Sequence, residues 1–254
     1  MNFLQNILTA TPWGYSTASS ALDKTFDLQK HNISTIIKHR SSHNSYTHKA
    51  DPCLELVHIL RDKSHSDIMF DLTSYNINNG SNSVKYALER IKYLLSFMHD
   101  NSGKLLITSE CDHLDILFNI VSKIHKLYSD IGLIIRENLP NSFYFIQQCL
   151  RKNISVVLLI DKDSSNPKKI YKQLSKIMQY SKHNIDLMFL DSLPSQQIID
   201  LAIDNPNKIN FIVPFDKCHF AIRCLNKNII TRVVVEFGEK FKQKRLDIFQ
   251  KMKR

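Results

Sequence analysis

Eight short apolar segments, each followed by a stretch with helical spacing, succeed one another along this chain of 254 residues. Eight strand–helix units in a row are what a closed (β/α)₈ barrel requires. A doubly wound open sheet has the same alternation, but the number of units favours closure. The sequence therefore predicts the α/β class and one TIM-type (β/α)₈ barrel over residues 33–254, preceded by an N-terminal extension, residues 1–32.

The predicted strands are continuous apolar runs, as expected for parallel strands that helices cover. They comprise Ile33–His39, Asp67–Leu72, Lys104–Thr108, Gly132–Ile135, Ile154–Ile160, Ile185–Leu190, Asn210–Pro214 and Arg232–Phe237. Between them, apolar residues recur at intervals of three and four, which predicts amphipathic helices. These comprise Cys53–Lys63, Ser83–His99, His113–Tyr128, Ser142–Lys152, Lys168–Ser181, Ser195–Asn205, Lys217–Asn226 and Lys240–Lys253.

A short leading helix, Thr17–Gln29, is predicted within the N-terminal extension. Leu22, Phe26 and Gln29 recur there at helical spacing and are predicted to share one face. The extension and the basic C-terminal helix are the segments expected to dock onto a partner.

Cysteine usage and hydropathy predict the compartment. The five cysteines are scattered, odd in number and without a CxxC pair, which is typical of reduced thiols. No apolar run approaches the roughly 20 residues that span a bilayer, and the first residues lack the pattern of a signal peptide. A cytoplasmic protein is expected. The abundance of Lys, Asn, Ile and Ser is typical of an AT-rich bacterial genome.

Glycine is scarce, and its spacing excludes two nucleotide-binding motifs. The chain has five glycines, all far apart. A GxGxxG or Walker-type loop needs closely spaced glycines so that backbone amides can approach a pyrophosphate. Dinucleotide binding through those motifs is therefore excluded.

The chain carries a formal net charge of +10. Its basic residues cluster on the predicted fifth helix and in the C-terminal segment, with spacings of three and four residues that place several on one exposed face. Protein partners with acidic surfaces are the expected consequence. Nucleic-acid binding is the alternative, although no recognised nucleic-acid module accompanies the charge.

Four segments carry a resemblance to a known family. Residues 132–139 are similar to its fourth strand, where a glycine and aliphatic residues lead to Gln-x-Tyr-Leu. Residues 153–160 occupy the place of its Leu-Arg-Leu-Val-Lys-Gly strand, residues 231–239 resemble Arg-Val-Tyr-Val-Pro-Tyr-Gly, and residues 70–73 resemble Lys-Leu-Ser/Thr. The family is that of the proline dehydrogenases, FAD-dependent (β/α)₈ barrels that oxidise proline. The resemblance covers residues 33–254.

The same resemblance implies that most of the family's functional residues are missing. The second-strand lysine corresponds to Asp71, and the third-strand acidic pattern keeps only Glu110. The flavin-contacting glutamine corresponds to Arg136. The flavin-contacting arginine of the fifth strand corresponds to Val157, and the lysine that follows it to Ile160.

Two further motifs of the family are also absent. The Thr-His pair after strand six corresponds to Leu190 and Asp191. The arginine pair that binds the carboxylate of proline corresponds to Asp247 and Ile248, unless the register slips and Lys244-Arg245 or Lys251 substitutes. Val, Ile and Asp cannot replace guanidinium contacts. The resemblance thus implies a degenerate barrel that binds no cofactor, with FAD as the alternative.

Charged residues nevertheless lie at the ends of the predicted strands, where barrel enzymes place their active sites. The candidates for a site at these strand ends are Asp71, Glu110, Arg136, Asp161, Asp191 and Glu236. The four aspartates and glutamates at positions 71, 110, 161 and 191 could bind a divalent cation and support phosphoester hydrolysis. The simpler interpretation is that the loops at the strand ends are polar and that their acidic and basic residues neutralise one another. No catalytic, cofactor or metal residue is assigned.

Other clusters favour structural interpretations. His39, His43 and His48 lack a cysteine or carboxylate at ligand spacing. Cys218 and His219 are adjacent and point apart, so they do not form a thiol–imidazole pair. The aromatic run at residues 143–145 is bulky for the start of an exposed helix and is a second candidate for a partner contact.

These observations predict a pseudoenzyme, a barrel that acts as an interaction or scaffold subunit of a larger assembly. An accessory subunit of a bacterial machine such as a secretion apparatus would suit it. The alternatives are an FAD-dependent dehydrogenase of proline or a related amino acid, a metal-dependent hydrolase that uses the carboxylates at the strand ends, and a nucleic-acid-binding protein.

Overall fold

The predicted barrel closes. A computed structural model describes residues 18–39, 56, 66–75, 77, 80–98, 103–109, 113–161, 167–180, 184–189, 192–225 and 229–237. In this part of the chain, eight parallel strands pair in sequence order, and β1 pairs with β8 to complete the cylinder. The (β/α)₈ fold is therefore confirmed and the open sheet is excluded.

The strands begin and end within one residue of the predicted positions. They are β1 Ser34–His39, β2 Asp67–Asp71, β3 Leu105–Thr108, β4 Ile131–Arg136, β5 Ser155–Ile160, β6 Ile185–Phe189, β7 Ile209–Pro214 and β8 Thr231–Phe237. Continuous apolar runs predict these bounds well because one side of each strand faces the helices and the other faces the barrel interior.

Seven described helices accompany the strands. They are α1 Ala18–Gln29, α2 Ser81–Met98, α3 Leu114–His125, α4 Ser142–Arg151, α5 Pro167–Tyr180, α6 Gln196–Asp204 and α7 Cys218–Leu225. Helix α3 ends earlier than predicted, because the amides of Leu127 and Tyr128 both donate to the carbonyl of Ile124 and turn the chain. The predicted helices Cys53–Lys63 and Lys240–Lys253 lie, apart from Leu56, outside the described residues.

Buried side chains form two separate cores. The inner core fills the barrel with Ile36, Met69, Leu106, Ile134, Val157, Leu159, Met188, Ile212 and Val234. The outer core lies between the strands and the helices and includes Ile37, Phe70, Leu133, Leu158 and Val235. Neighbouring strand residues contribute to different cores because side chains alternate along a strand.

Helix α1 lies against β1 and β8, the two strands that close the barrel. Its buried face consists of Ala21, Leu22, Thr25 and Leu28. Leu22, Phe26 and Gln29 do not together form the buried face, since 38% of Phe26 is exposed. Two apolar stripes fit helical spacing in this short segment, and contact with the β1–β8 seam selects the one that carries Leu28. The domain boundary after residue 32 stays a prediction.

Among the described helices, none combines the length and the apolar character that crossing a bilayer requires.

Candidate functional site

The carboxyl ends of the strands surround one opening, here called the mouth. Asp71 and Arg136 are the last residues of β2 and β4, Asp161 follows β5, and Glu236 is the second-last residue of β8. Each lies two positions beyond a residue of the inner core, so alternation turns it to the inner side of the barrel. Four of the six candidates therefore line the mouth, while Glu110 and Asp191 lie outside the described residues.

Glu236 forms an ion pair with a residue that sequence reasoning missed. Lys38 on β1 is its register neighbour, and the Lys38 Nζ lies 3.6 Å from the Glu236 Oε1. The two side chains are only 14% and 19% exposed. The position of Lys38, two residues after an inner-core isoleucine, was the available signal. This pair makes Glu236 part of a neutral contact.

Asp71 has a local structural role. Its Oδ1 accepts hydrogen bonds from the Thr73 backbone N at 2.9 Å and from the Thr73 Oγ1 at 2.6 Å. These bonds hold the short 3₁₀ turn Thr73–Tyr75 that follows β2. An aspartate that binds the backbone two residues ahead is a common way to start a turn. One of its carboxylate oxygens is therefore already occupied by the loop.

Arg136 is, after Lys38, a second cation at the described mouth. Directly after Arg136, hydrogen bonds hold the turn that leads into α4. The Glu137 N donates to the carbonyl of Leu159 at 2.9 Å, and the Ser142 Oγ donates to the carbonyl of Glu137 at 3.0 Å. Arg136 is half-buried and Glu137 is buried. These contacts fix the turn into α4 and thereby the position from which the guanidinium extends.

Only part of the predicted metal site lies among the described residues. In the ranges given above, no three His, Cys, Asp or Glu side chains gather closely enough to hold a metal ion. Two of the four predicted ligands, Glu110 and Asp191, are not among those residues. A metal site at the mouth thus stays a prediction.

Two of the described cysteines, Cys149 and Cys218, do not carry an activated thiol. Burial raises the pKa of Cys149 to about 12, with the positive charge of Lys152 acting in the opposite direction. Burial also raises the pKa of Cys218, which outweighs the nearby positive charge of Lys24. A nucleophilic thiol requires a lowered pKa and access to substrate. Both thiols pack as small apolar groups.

The opposite end of the barrel holds a charged network that sequence reasoning missed. The Arg232 guanidinium on β8 donates to the carboxylates of Asp67 on β2 and Asp186 on β6. The Asn210 Nδ2 donates to the Asp186 Oδ1 at 2.8 Å. Burial by itself would lower the pKa of Arg232, but the two carboxylates offset it and hold that pKa above its ordinary value. This network joins strands from different sides of the barrel.

Two further contacts complete this amino-terminal end. The Lys104 Nζ donates to the Ser155 Oγ at 2.8 Å, and the Lys104 N donates to the Asp67 Oδ1 at 2.8 Å. Gly132 lies beside them, where a Cβ atom would come within 2.9 Å of the Leu106 Cδ2 and the Ser155 carbonyl oxygen. The amino-terminal face of such barrels serves stability, and the close packing here agrees with that role.

Comparison with solved structures finds chains of similar fold. The chain is similar to proline utilization A from Bdellovibrio bacteriovorus, inactivated by N-propargylglycine, with a TM-score of 0.66 and 9% identity over 93% of this chain. A bifunctional proline utilization A protein gives a TM-score of 0.58 and 10% identity over 89% of this chain. The N-acetylneuraminate lyase of Proteus mirabilis gives 0.53 and 11% over 80% of this chain and 70% of the lyase.

These likenesses define the class of fold and nothing finer. The chain spans 31% and 28% of the two proline utilization A chains. No family model and no curated protein sequence matches it. At this level of identity, function has to be argued from the site.

Proposed function

We propose that this chain is a degenerate, non-catalytic proline-dehydrogenase-like barrel that serves as an interaction or scaffold subunit of a larger protein assembly. An accessory subunit of a bacterial machine, such as a secretion apparatus, fits this role. Its partners carry acidic surfaces, and the protein works in the cytoplasm. The proposal depends on the mouth and on the strand positions that the family uses for its flavin.

The fifth strand carries the main observation. The resemblance assigns the family's flavin-contacting arginine to Val157, and Val157 is fully buried in the inner core. Ile160, which takes the place of the family's lysine, belongs to the outer core. Neither side chain can donate a hydrogen bond. The residues on this strand therefore do not fit a flavin that needs cationic contacts near its reactive ring.

The charges at the mouth support the same conclusion. The Lys38 ammonium is paired with Glu236, and an aspartate, Asp71, takes the place of the family's second-strand lysine. A flavin and an amino-acid carboxylate both favour positive surroundings. The described residues at the mouth instead include three carboxylates and two cations, namely Asp71, Asp161, Glu236, Lys38 and Arg136.

A surviving flavin dehydrogenase is the second candidate, and the fold favours it. The likeness to proline utilization A extends over 93% of the chain. If the chain oxidised proline or a related amino acid, contacts beyond those assigned by the resemblance would have to hold the flavin.

The test compares flavin binding with assembly. Purified protein is titrated into FAD while flavin fluorescence is followed, and proline-dependent dye reduction is then measured. We expect neither saturable quenching nor reduction, while cross-linking in the native cell should yield a complex of defined stoichiometry. Saturable FAD binding with proline-dependent bleaching would overturn the proposal.

Arg136→Gln supplies a matched control, since glutamine is the residue that the family has there. A scaffold should keep its complex unchanged in this variant. A flavin enzyme should change its FAD affinity, because the substitution alters a flavin-facing position. A thermal shift with Mg²⁺, Mn²⁺ or Ca²⁺ that is lost in Asp71→Ala/Glu110→Ala would instead indicate the metal-dependent hydrolase.

A further inference from the structure

Helix α5 exposes lysines and carries no acidic residue. Its sequence is PKKIYKQLSKIMQY, and Lys168, Lys169, Lys172 and Lys176 are all exposed. Lys168, Lys172 and Lys176 recur every four residues, so they form one row along the helix, here called the lysine row. The row is about 12 Å long at a rise of about 1.5 Å per residue.

The opposite side of α5 fixes the direction in which the lysine row points. Ile170, Leu174, Ile177 and Met178 are buried in the outer core. The helix therefore cannot rotate to bury the lysines without exposing these four side chains. Tyr171, with 41% of its surface exposed, adds an aromatic ring next to the row.

This charge arrangement is unfavourable for the helix by itself. Like charges four residues apart repel each other, and the lysine row contains two such pairs. Lys168 and Lys169 also stand in the first turn, where the helix dipole disfavours cations. Carboxylates brought in by another molecule would reduce the repulsion between Lys172 and Lys176.

The neighbouring helix restricts what that molecule can be. Helix α6 packs beside α5 and exposes Asp200 and Asp204 with no basic residue of its own. A nucleic acid laid on the lysine row would bring further phosphates toward these carboxylates, with no positive group to meet them. A protein segment can place acidic residues opposite α5 and neutral or basic ones opposite α6. A second copy of this chain is disfavoured by the net charge of +10.

We propose that the lysine row and Tyr171 form the docking surface for an acidic helix of a partner protein, one with carboxylates four residues apart. Four-residue spacing on both helices lets each ammonium meet one carboxylate, and Tyr171 supplies apolar contact. This inference rests on the proposed scaffold function and names the surface that the assembly uses.

The experiment measures binding of a defined probe to the full-length chain. The probe is a synthetic helical peptide with glutamates at four-residue spacing on one face. Its binding is measured by fluorescence anisotropy. In Lys168→Glu/Lys172→Glu/Lys176→Glu we expect a loss of affinity of about tenfold or more, and affinity of the unaltered chain should fall with salt. Circular dichroism checks that the variant is folded.

The matched control is Lys85→Glu/Lys92→Glu/Lys123→Glu, which makes the same change of net charge on other helices, at residues that are also exposed. It should bind the peptide nearly as well as the unaltered chain. An equal loss in both variants would overturn the proposal, because the effect would be one of bulk charge. Tighter binding of a single-stranded oligonucleotide of equal charge through the same lysines would overturn it too.

The outcomes separate this inference from the proposed function. If the triple variant of α5 still enters the native assembly and the peptide does not bind, the docking surface is refuted and the scaffold function stands. Proline-dependent reduction of bound FAD would refute the scaffold function whatever the peptide does.

Discussion

Charged side chains are arranged differently at the two ends of this barrel. At the amino-terminal end, Arg232 binds Asp67 and Asp186, and Asn210 adds a further bond to Asp186. At the mouth, Lys38 and Glu236 form an ion pair between neighbouring strands. The amino-terminal network connects strands β2, β6 and β8, which are not neighbours in the barrel. The mouth pair connects two strands that already share backbone hydrogen bonds.

This difference indicates which charged residues contribute most to the stability of the fold. A largely buried guanidinium between two carboxylates leaves uncompensated charges behind if it is removed, and such losses are costly. The Lys38–Glu236 pair is about as little exposed, but it is a single contact between two charges at 3.6 Å. We expect the amino-terminal end to dominate stability, while the mouth tolerates substitution.

The largest effect is expected from Arg232→Met. Loss of the guanidinium leaves the carboxylates of Asp67 and Asp186 without their positive partner. The free energy of unfolding should therefore fall by about 3–5 kcal/mol. Chemical denaturation followed by circular dichroism measures it. Arg136→Met, the corresponding change at the mouth, is the control. If both variants lose the same stability, the contrast between the two ends is wrong.

An intermediate effect is expected from Gly132→Ala. The added Cβ would meet the Leu106 Cδ2 and the Ser155 carbonyl oxygen at 2.9 Å, and the backbone oxygen has little freedom to move. Overpacking of this kind costs about 1–3 kcal/mol. Arg136→Ala on the same strand is compared under identical denaturation conditions. A Gly132→Ala protein as stable as the unaltered one would show that this end is less closely packed.

The smallest effect is expected from the Lys38–Glu236 pair. A double-mutant cycle with Lys38→Met and Glu236→Gln should give a coupling energy of about 1 kcal/mol, because the two charges meet in a single contact of 3.6 Å. Denaturation of the single and double variants measures it. A coupling as large as the loss in Arg232→Met would place a stability-determining contact at the mouth and weaken the comparison.

The sequence predicts the strands but not the side-chain contacts between them. Apolar runs locate every strand within a residue, and Asp71, Arg136 and Glu236 lie at the carboxyl ends of β2, β4 and β8. Such local patterns depend on residues close together in the chain. They also suffice to show that the barrel has the number of units it needs to close.

The Arg232 network could not be predicted in this way. Its three charged members come from β2, β6 and β8, so only the closed barrel brings them together. A signal was nevertheless present: Asp186, Asn210 and Arg232 each occupy the second position of a strand, two residues before an inner-core side chain. The buried face of α1 could not be predicted for a related reason, since contact with β8 helps to decide it and β8 is distant from α1 in the sequence.

The position of α1 has a consequence for how the molecule forms. This helix is made early in synthesis, yet the surface it covers is completed only when β8 pairs with β1. Until then, α1 lacks its contacts with β8. Contacts between distant parts of a chain form slowly and leave apolar groups open to association in the meantime. A ribosome-bound chain that stops before β8 should therefore resist proteases poorly, and protection should appear in a single late step.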